Sequence, residues 1–483
     1  MIVGIAQLQQ RIKDPLEGKE PLKLMADAVR AAAKDAGAPQ LLAQTESVRV
    51  VRGVWRYKQP AAWVAAEIGA PDAETMGTPY GGNMVQSLVN QSALDILNGD
   101  KSLIVITGAE NGNSQAKAAK AGIKLEITET EGAYDRMLGD EKPMTNAEEE
   151  ARGIRQPIQV YPMFENALRH HRGESIEEHK VRISELWAGF SKVAGDNPHA
   201  WLRDVVDAET IRTPGPTNRM ISFPYPKLMN SNNAVDMSAA LIMCSVEKAR
   251  ELGIPEAKWV YPWAGTDGHD HYYVSNRDNL YSSPAIRIAG KRVMSLLGLQ
   301  VSDLDLVDVY SCFPVAVQVA VNELGLDESK TLTVTGGLTF GGGPLNNYVM
   351  HSIARMVELL RASPEKKGLI TANGGYLTKH AFGIYSARPP AQDFLHEDVQ
   401  AEIDATPRKE VLGEYDGPAT IESYTVMFGP NGPGISFIAA LTPDNKRVWA
   451  SSDDQAVMAD MQQREFCGLP VTVSADGKFA MAS

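Results

Sequence analysis

Two short stretches of this chain concentrate the residues best suited to chemistry. Gly265–Tyr273 reads GTDGHDHYY and gathers Asp267, His269, Asp270 and His271. Alternate residues of an extended chain share a face, so these side chains could converge. Three readings are open: metal ligands, a histidine oriented by a neighbouring aspartate as general base, or a hydrogen-bonded structural loop. No third, distant ligand is evident, so no metal is expected. The second stretch, Thr333–Pro344, reads TVTGGLTFGGGP and holds Gly336, Gly337, Gly341, Gly342 and Gly343. Glycine tolerates positive φ and lets another group come close to the main chain. Such a stretch either lines a pocket or forms a wide surface loop.

The elements that must position these stretches alternate. Ile2–Ala6 reads as a strand, and Pro21–Ala36 as a helix with Leu22, Met25, Val29 and Ala32 at helical spacing before Gly37. Val48–Trp55 is a second strand. Gly81-Gly82-Asn83 opens a helix to about Leu97, with Asn83 as its N-cap, and Ser102–Thr107 is a continuous apolar strand. This order predicts a parallel sheet covered on both faces. From Gln115 to about Pro226 the chain is richer in charge and reads as a helical excursion, with helices near Met163–His171 and Ile176–Val193. Its basic cluster, Arg169 to Arg172, is either a solvated helix face or a phosphate-binding patch. The alternation resumes at Val235–Val246 and runs through Pro284–Leu297, Leu306–Tyr310, Asn346–Leu360 and Gly368–Ala372. The repeated order of glycines, helix, strand and glycine in two halves implies an internal duplication. Pro389-Pro390 and the acidic segment to Pro407 read as a linker, after which the character changes: Ile421–Phe428 and Ile435–Leu441 flank GPNGPG, a hairpin signal.

Bulk properties bound the function. A chain of 483 residues exceeds one compact core. Its net charge of −13 argues against a nucleic-acid or anionic-membrane surface. Cys244, Cys312 and Cys467 are widely spaced with no zinc pattern, which fits a reducing compartment, and Cys467 reads as inert. MIVGIAQ reads as a first strand rather than a leader. No apolar run nears the ~20 residues that a membrane span needs. The expectation is a cytoplasmic protein with no nucleic-acid partner and no membrane insertion.

Four motifs in order, SLVNQSALDILNGDKSLIVITGAEN, DLVDVYSCFPVAVQVA, VTGGLTFGGGP and LITANGGYLTKH, resemble the thiolase superfamily across nearly all of residues 1–390. Within it the chain is similar to the sterol-carrier-type thiolases and to thiolase-like proteins of type 1, which carry an added C-terminal domain. The resemblance implies a five-layer αβαβα thiolase fold of two similar halves. It divides the chain into an N-terminal half (1–114), a helical cap region (115–230) and a C-terminal half (231–390), followed by a small β-rich, OB-like domain (408–483) whose strands read either as an OB-type barrel or as a β-sandwich fragment.

The departures from the family bear directly on activity. The family's nucleophilic cysteine, placed where a helix N-terminus lowers its pKa, falls at Gly82, give or take one residue. Its GHP motif reads Gly342-Gly343-Pro344, so the histidine has become Gly343. Its CxG motif reads Ala372-Asn373-Gly374, and the HDCF motif of the sterol-carrier group reads Tyr310-Ser311-Cys312-Phe313. Cys312 is then either an acid/base group facing the pocket or a plain buried cysteine, and Tyr310 a hydrogen-bond donor at the oxyanion position. His380 either replaces a lost catalytic group or is a solvated loop histidine. The resemblance thus implies an acyl-CoA or CoA ligand, with no other cofactor, in a monomer or homodimer. The site would be lined by Gly82, Asn83, Tyr310, Cys312, Gly341, Gly342, Gly343, Asn373, Gly374, His269 and His380. Retro-aldol C–C cleavage, an acyltransferase with an unrecognised nucleophile and non-catalytic CoA-ester binding all remain open.

Overall fold

The computed structural model describes residues 1–482. Two mixed sheets enclose a central helical layer. The first sheet is built from β1 (Ile2–Gln9), β2 (Ser47–Val50), β3 (Glu74–Gly77), β4 (Leu103–Asn111), β5 (Arg136–Met137) and β6 (Asp236–Cys244). Its order is β1-β6-β4-β2-β3-β5. Pairing about β2 is parallel, but β6 runs antiparallel to both β1 and β4, so the purely parallel expectation does not hold. The second sheet contains β7 (Tyr261–His269), β8 (Leu306–Asp308), β9 (Lys367–Gly374), β10 (Lys379–Ser386) and β11 (Leu395–Asp398), in the order β8-β9-β10-β7-β11. It too is mixed: β10 is antiparallel to both of its neighbours.

Helices α1 (Pro21–Asp35) and α2 (Pro60–Glu67) cover the outer face of the first sheet. Helix α3 (Met84–Leu97) lies between the sheets and touches both, as does α8 (Tyr348–Ala362). Helix α6 (Pro284–Ser295) covers the second sheet and carries α7 (Pro314–Leu324) against it. Because α3 is enclosed on most sides, even its polar residues are buried and must be paired. The Tyr385 hydroxyl donates to Gln86 at 2.8 Å, Asn90 donates to Asp267 at 2.8 Å, and Asp95 accepts from the fully buried Arg49. Asn83 precedes α3 in the helical region of backbone space, and its side chain makes no capping bond, contrary to the sequence expectation. Its amide oxygen is buried without a partner.

The excursion contributes α4 (Pro157–Arg172) and α5 (Ile176–Asp196). The C-terminal region forms an antiparallel sheet from β12 (Gly417–Gly429), β13 (Gly432–Leu441), β14 (Arg447–Ser452), β15 (Pro470–Val473) and β16 (Phe479–Met481), with the short helix α9 (Gln455–Asp460). A bridge between Ser451 and Lys478 brings its two ends together, so the sheet curls into a partly closed barrel. It pairs with neither main sheet. Instead β12 pairs with Met220–Ser222 of the excursion and packs on α4. Asn166 of α4 donates to Tyr424 O at 2.8 Å, and Ser423 bonds to Met163 O. Arg169 is 1% exposed and its guanidinium bonds Tyr424 and Glu465, so it is an interdomain tie and not part of a solvated face.

Candidate functional site

A cavity of about 400 Å³ opens where the start of α3, the end of β9, the turn before α7 and the N-terminal half of α4 converge. Gly82, Tyr310, Cys312, Asn373 and Gly374 line it. Gly82 is small by necessity, because a Cβ there would sit 2.5 Å from the Tyr310 hydroxyl and would meet the Asn373 carbonyl oxygen. Gly374 is constrained in the same way by the backbone of Gly81 and Gly82 and the side chain of Asn83. The Tyr310 ring stands edge-on to Tyr348, with centroids 5.4 Å apart, while its amide donates to Thr371. Its hydroxyl has no protein hydrogen bond.

The rest of the wall comes from residues that the sequence did not single out. Tyr161 of α4 stacks on Phe313 with centroids 4.5 Å apart. Its hydroxyl accepts from Leu377 N at 2.9 Å and Asn373 Nδ2 at 3.0 Å, and donates to Gly375 O at 3.3 Å. Asn373 Nδ2 also lies 3.7 Å from Cys312 Sγ. Ser231 donates to Cys312 O at 2.9 Å, and Asn230 Nδ2 to Pro226 O at 2.8 Å. That leaves the amide oxygens of Asn230 and Asn373 buried and unpartnered on residues lining the cavity. The polar run Asn230–Asn233, just before β6, was a signal that could have been followed; Tyr161, in a generic amphipathic helix, gave none.

Burial keeps the titratable lining protonated. It pushes the Cys312 thiol up to about 12, against the opposing hydrogen bonds of Tyr161 and Asn373, which disfavours the thiolate at neutral pH. Burial likewise raises Tyr80 to about 12 and Tyr161 and Tyr310 well above their ordinary 10. Among the described residues, no carboxylate or imidazole lines this cavity.

The structure disperses the other candidates. His269 lies in a separate groove with Asp267, Tyr272, Lys379 and His396. Its Nδ1 is 2.8 Å from the Asp270 carbonyl oxygen, and its ring stands edge-on to Tyr272. Asp267 accepts from Ser87 and Asn90 and lies 2.9 Å from His396. Asp270 turns inward; burial would raise its pKa, but Arg277 at 3.1 Å, His380 and Ser283 hold it at about 2. His271 points to the carbonyls of Thr406 and Pro407. One stretch therefore feeds separate places, because successive residues of a strand end face different neighbours.

His380 is 2% exposed, with Nε2 3.2 Å from Leu377 O and 3.7 Å from Asp270, on a small void behind Tyr310 rather than in the cavity. Gly341–Gly343 are packed by protein. Trp201 N donates to Gly341 O at 2.9 Å, Gly343 N donates to Asn232 O at 3.0 Å, and a Cβ on Gly342 would sit 2.5 Å from Met237 Sδ. Of the glycine-rich stretch before Pro344, Leu338 reaches the cavity. Asn83 contributes its unpartnered amide oxygen just behind Gly374.

Comparison with known proteins adds four findings. Residues 398–478 match the family model described as the thiolase-like protein type 1 additional C-terminal domain. A solved monomeric SCP2-thiolase-like protein type 1 from Mycobacterium smegmatis is similar over 100% of this chain and 98% of its own, with 30% identity and a TM-score of 0.85. An Ltp2–ChsH2 aldolase is similar over 80% of this chain and 97% of its own, at 22% identity and a TM-score of 0.59, a likeness of fold alone. Among curated relatives, an acetyl-CoA acetyltransferase from Methanocaldococcus jannaschii is 23% identical over 167 residues, 34% of this chain and 40% of that protein. The chain thus spans less than half the length of that relative.

Proposed function

This chain belongs to the SCP2-thiolase-like protein type 1 family, and from that premise we propose that it binds acyl-CoA thioesters non-covalently instead of cleaving them through an acyl-cysteine. The observation that carries this reading is that, among the described residues, no carboxylate or imidazole lines the cavity, while burial holds its thiol and phenols in the protonated form. Covalent acyl transfer needs an activated nucleophile. The position that the family resemblance gives to the cysteine is Gly82, and Cys312 remains a thiol. Retro-aldol cleavage needs a base to take the β-hydroxyl proton, and Tyr80, Tyr161, Tyr310 and Cys312 are all acids too weak to be ionised at pH 7.

Binding asks less of the same groups. The free Tyr310 hydroxyl suits a thioester carbonyl. The unpartnered amide oxygens of Asn230 and Asn373 suit the N–H groups of a pantetheine arm. Ile158, Phe313 and Leu338 supply apolar wall. Arg155 lines the mouth, ion-paired with Glu150 at 2.7 Å, and suits a phosphate that displaces that carboxylate. The proposed state is a monomer, supported by β5, which occupies the edge of β3 with the chain's own backbone. Among the described residues no helix is long and apolar enough to cross a membrane.

Calorimetry with CoA, acetyl-CoA and a β-hydroxyacyl-CoA tests the proposal, with aldehyde and free CoA assayed in parallel. Saturable binding with no turnover is expected. Absence of binding at millimolar ligand overturns it, and steady release of aldehyde or an acylated Cys312 replaces it with a catalytic reading.

A further inference from the structure

Where the C-terminal domain meets α4, three side chains of different donor chemistry converge. His170 stands near the end of α4, while Glu465 and Cys467 lie in the turn after α9. Their ligand atoms all lie within 4.8 Å of one another, the one such cluster among the described residues. His170 Nδ1 is 3.5 Å from Glu465 Oε2. The carboxylate is fixed in advance: Oε1 accepts from the amides of Phe466 at 2.9 Å and Cys467 at 2.8 Å, and Arg169 bonds both oxygens at 3.0 and 3.1 Å. The Cys467 thiol, 5% exposed, lies 3.8 Å from the Asn166 carbonyl oxygen and beside the Glu465 carboxylate. His170 is exposed, which leaves the outer side of the cluster open to water.

We propose that His170, Glu465 and Cys467 bind a zinc ion, with water as fourth ligand. An imidazole nitrogen, a carboxylate oxygen and a thiolate form a mixed set of borderline softness, suited to Zn²⁺ and ill-suited to Ca²⁺ or Mg²⁺. Binding forms an S–Zn bond as the Cys467 S–H bond breaks, and the proton leaves to solvent; nothing is oxidised or reduced. The thiolate and carboxylate balance the ion's charge. Arg169 remains behind Glu465 as the outer partner that orients the ligand. The spacing of the cysteines hid this site, because its histidine comes from a different domain. The ion would fasten the C-terminal domain to α4, the helix that presents Tyr161 to the cavity.

The test uses the full-length chain, stripped with chelator and titrated with Zn²⁺ and, separately, Co²⁺. One ion should bind per chain, with a calorimetric heat that varies with buffer ionisation as one proton is released. The Co²⁺ form should show a thiolate-to-metal charge-transfer band. Cys467→Ser, whose hydroxyl can keep the bond to Asn166 O, should abolish that band. His170→Ala, at an exposed position where folding is not at stake, should weaken Zn²⁺ by at least the roughly tenfold that loss of an outer-shell partner costs. No binding at one ion per chain overturns the proposal, as does an affinity and spectrum unchanged in both variants.

Discussion

The Tyr310 hydroxyl lies 2.5 Å from the point that a Cβ on Gly82 would occupy, and the Asn373 carbonyl oxygen crowds the same point. The place that the family resemblance assigns to a nucleophile is thus filled by the side chain and backbone of two other residues. Restoring a cysteine cannot restore the chemistry without moving β9. Gly82→Cys is expected to destabilise the fold by about 1–3 kcal/mol through overpacking, measured by urea denaturation. It should give no acyl-enzyme by intact mass after acetoacetyl-CoA. A stable, acylated Gly82→Cys protein would show that the pocket relaxes freely and that this reading of the site is wrong.

Tyr310 and Tyr161 should separate binding from stability. The Tyr310 hydroxyl has no protein partner, so Tyr310→Phe should leave the melting temperature nearly unchanged. It should weaken an acyl-CoA by about 0.5–1.5 kcal/mol, the net worth of one hydrogen bond. Tyr161→Phe removes the acceptor of Leu377 N and Asn373 Nδ2. It should cost about 1–3 kcal/mol of stability, because buried donors lose their partner. Equal effects of the two substitutions on stability would contradict the distinction.

A buried relay behind the cavity sets a pH window. Fully buried Glu165 lies 2.7 Å from His179 Nε2 and accepts from Tyr225 and Gln318. Glu174 lies 2.6 Å from His179 Nδ1 and is held by Arg182. Burial and Arg182 disfavour the imidazolium, but the two carboxylates outweigh them, so His179 is raised above its ordinary 6.5. Glu165 is lowered, and Glu174 falls to about 2 from an ordinary 4.5. The histidine's contribution is complete below 6.5 and is lost as pH rises through its folded pKa. The glutamates' contribution is complete above 4.5 and is lost as pH falls toward 2. Melting temperature should therefore decline on both sides of this window, and His179→Gln should flatten the alkaline limb. An unchanged alkaline limb in that variant would rule the relay out as its cause.

The seam between domains should prove as costly to break as a core. Arg447 is fully buried and donates to the carbonyls of Ser275 at 2.7 Å and Arg277 at 2.6 Å, with Glu422 bonded to the same guanidinium at 2.6 and 2.7 Å. Arg447→Met strands the partly buried Glu422 carboxylate and these carbonyls, and should cost about 3–5 kcal/mol. Hydrogen exchange should speed up around residues 274–277 before the main sheets. Uniform acceleration through the whole chain would instead mean that no separable seam exists.

Sequence and structure agree where periodicity carries the signal. The helix from Met84 to Leu97, the apolar strand from Leu103 and the change of character in the C-terminal barrel are all legible from residue pattern. Strand direction was not, because an antiparallel β6 between β1 and β4 has the same apolar composition as a parallel one. The site divides in the same way. The motif around Tyr310 and Cys312 and the turn at Asn373 do meet. Alternation put Asp267 and His269 on one face, and one groove does hold both, but it is not the groove that holds Tyr310. The glycines of 341–343 answer to close packing against Met237 and Asn232, which composition cannot tell from room for a ligand.

The pairing of Ser222 with Met427 carries a consequence for how the molecule is made. A ribosome delivers α4 and the strand at Met220–Ser222 long before it delivers β12, and until then that strand edge and the outer face of α4 have nothing to cover them. The emerging chain must therefore carry an open, pairing-competent edge through the synthesis of the entire second sheet. Truncation between the two regions leaves that edge permanently available to other chains. The domain translated after the second sheet is thus the one that ends the risk of aggregation.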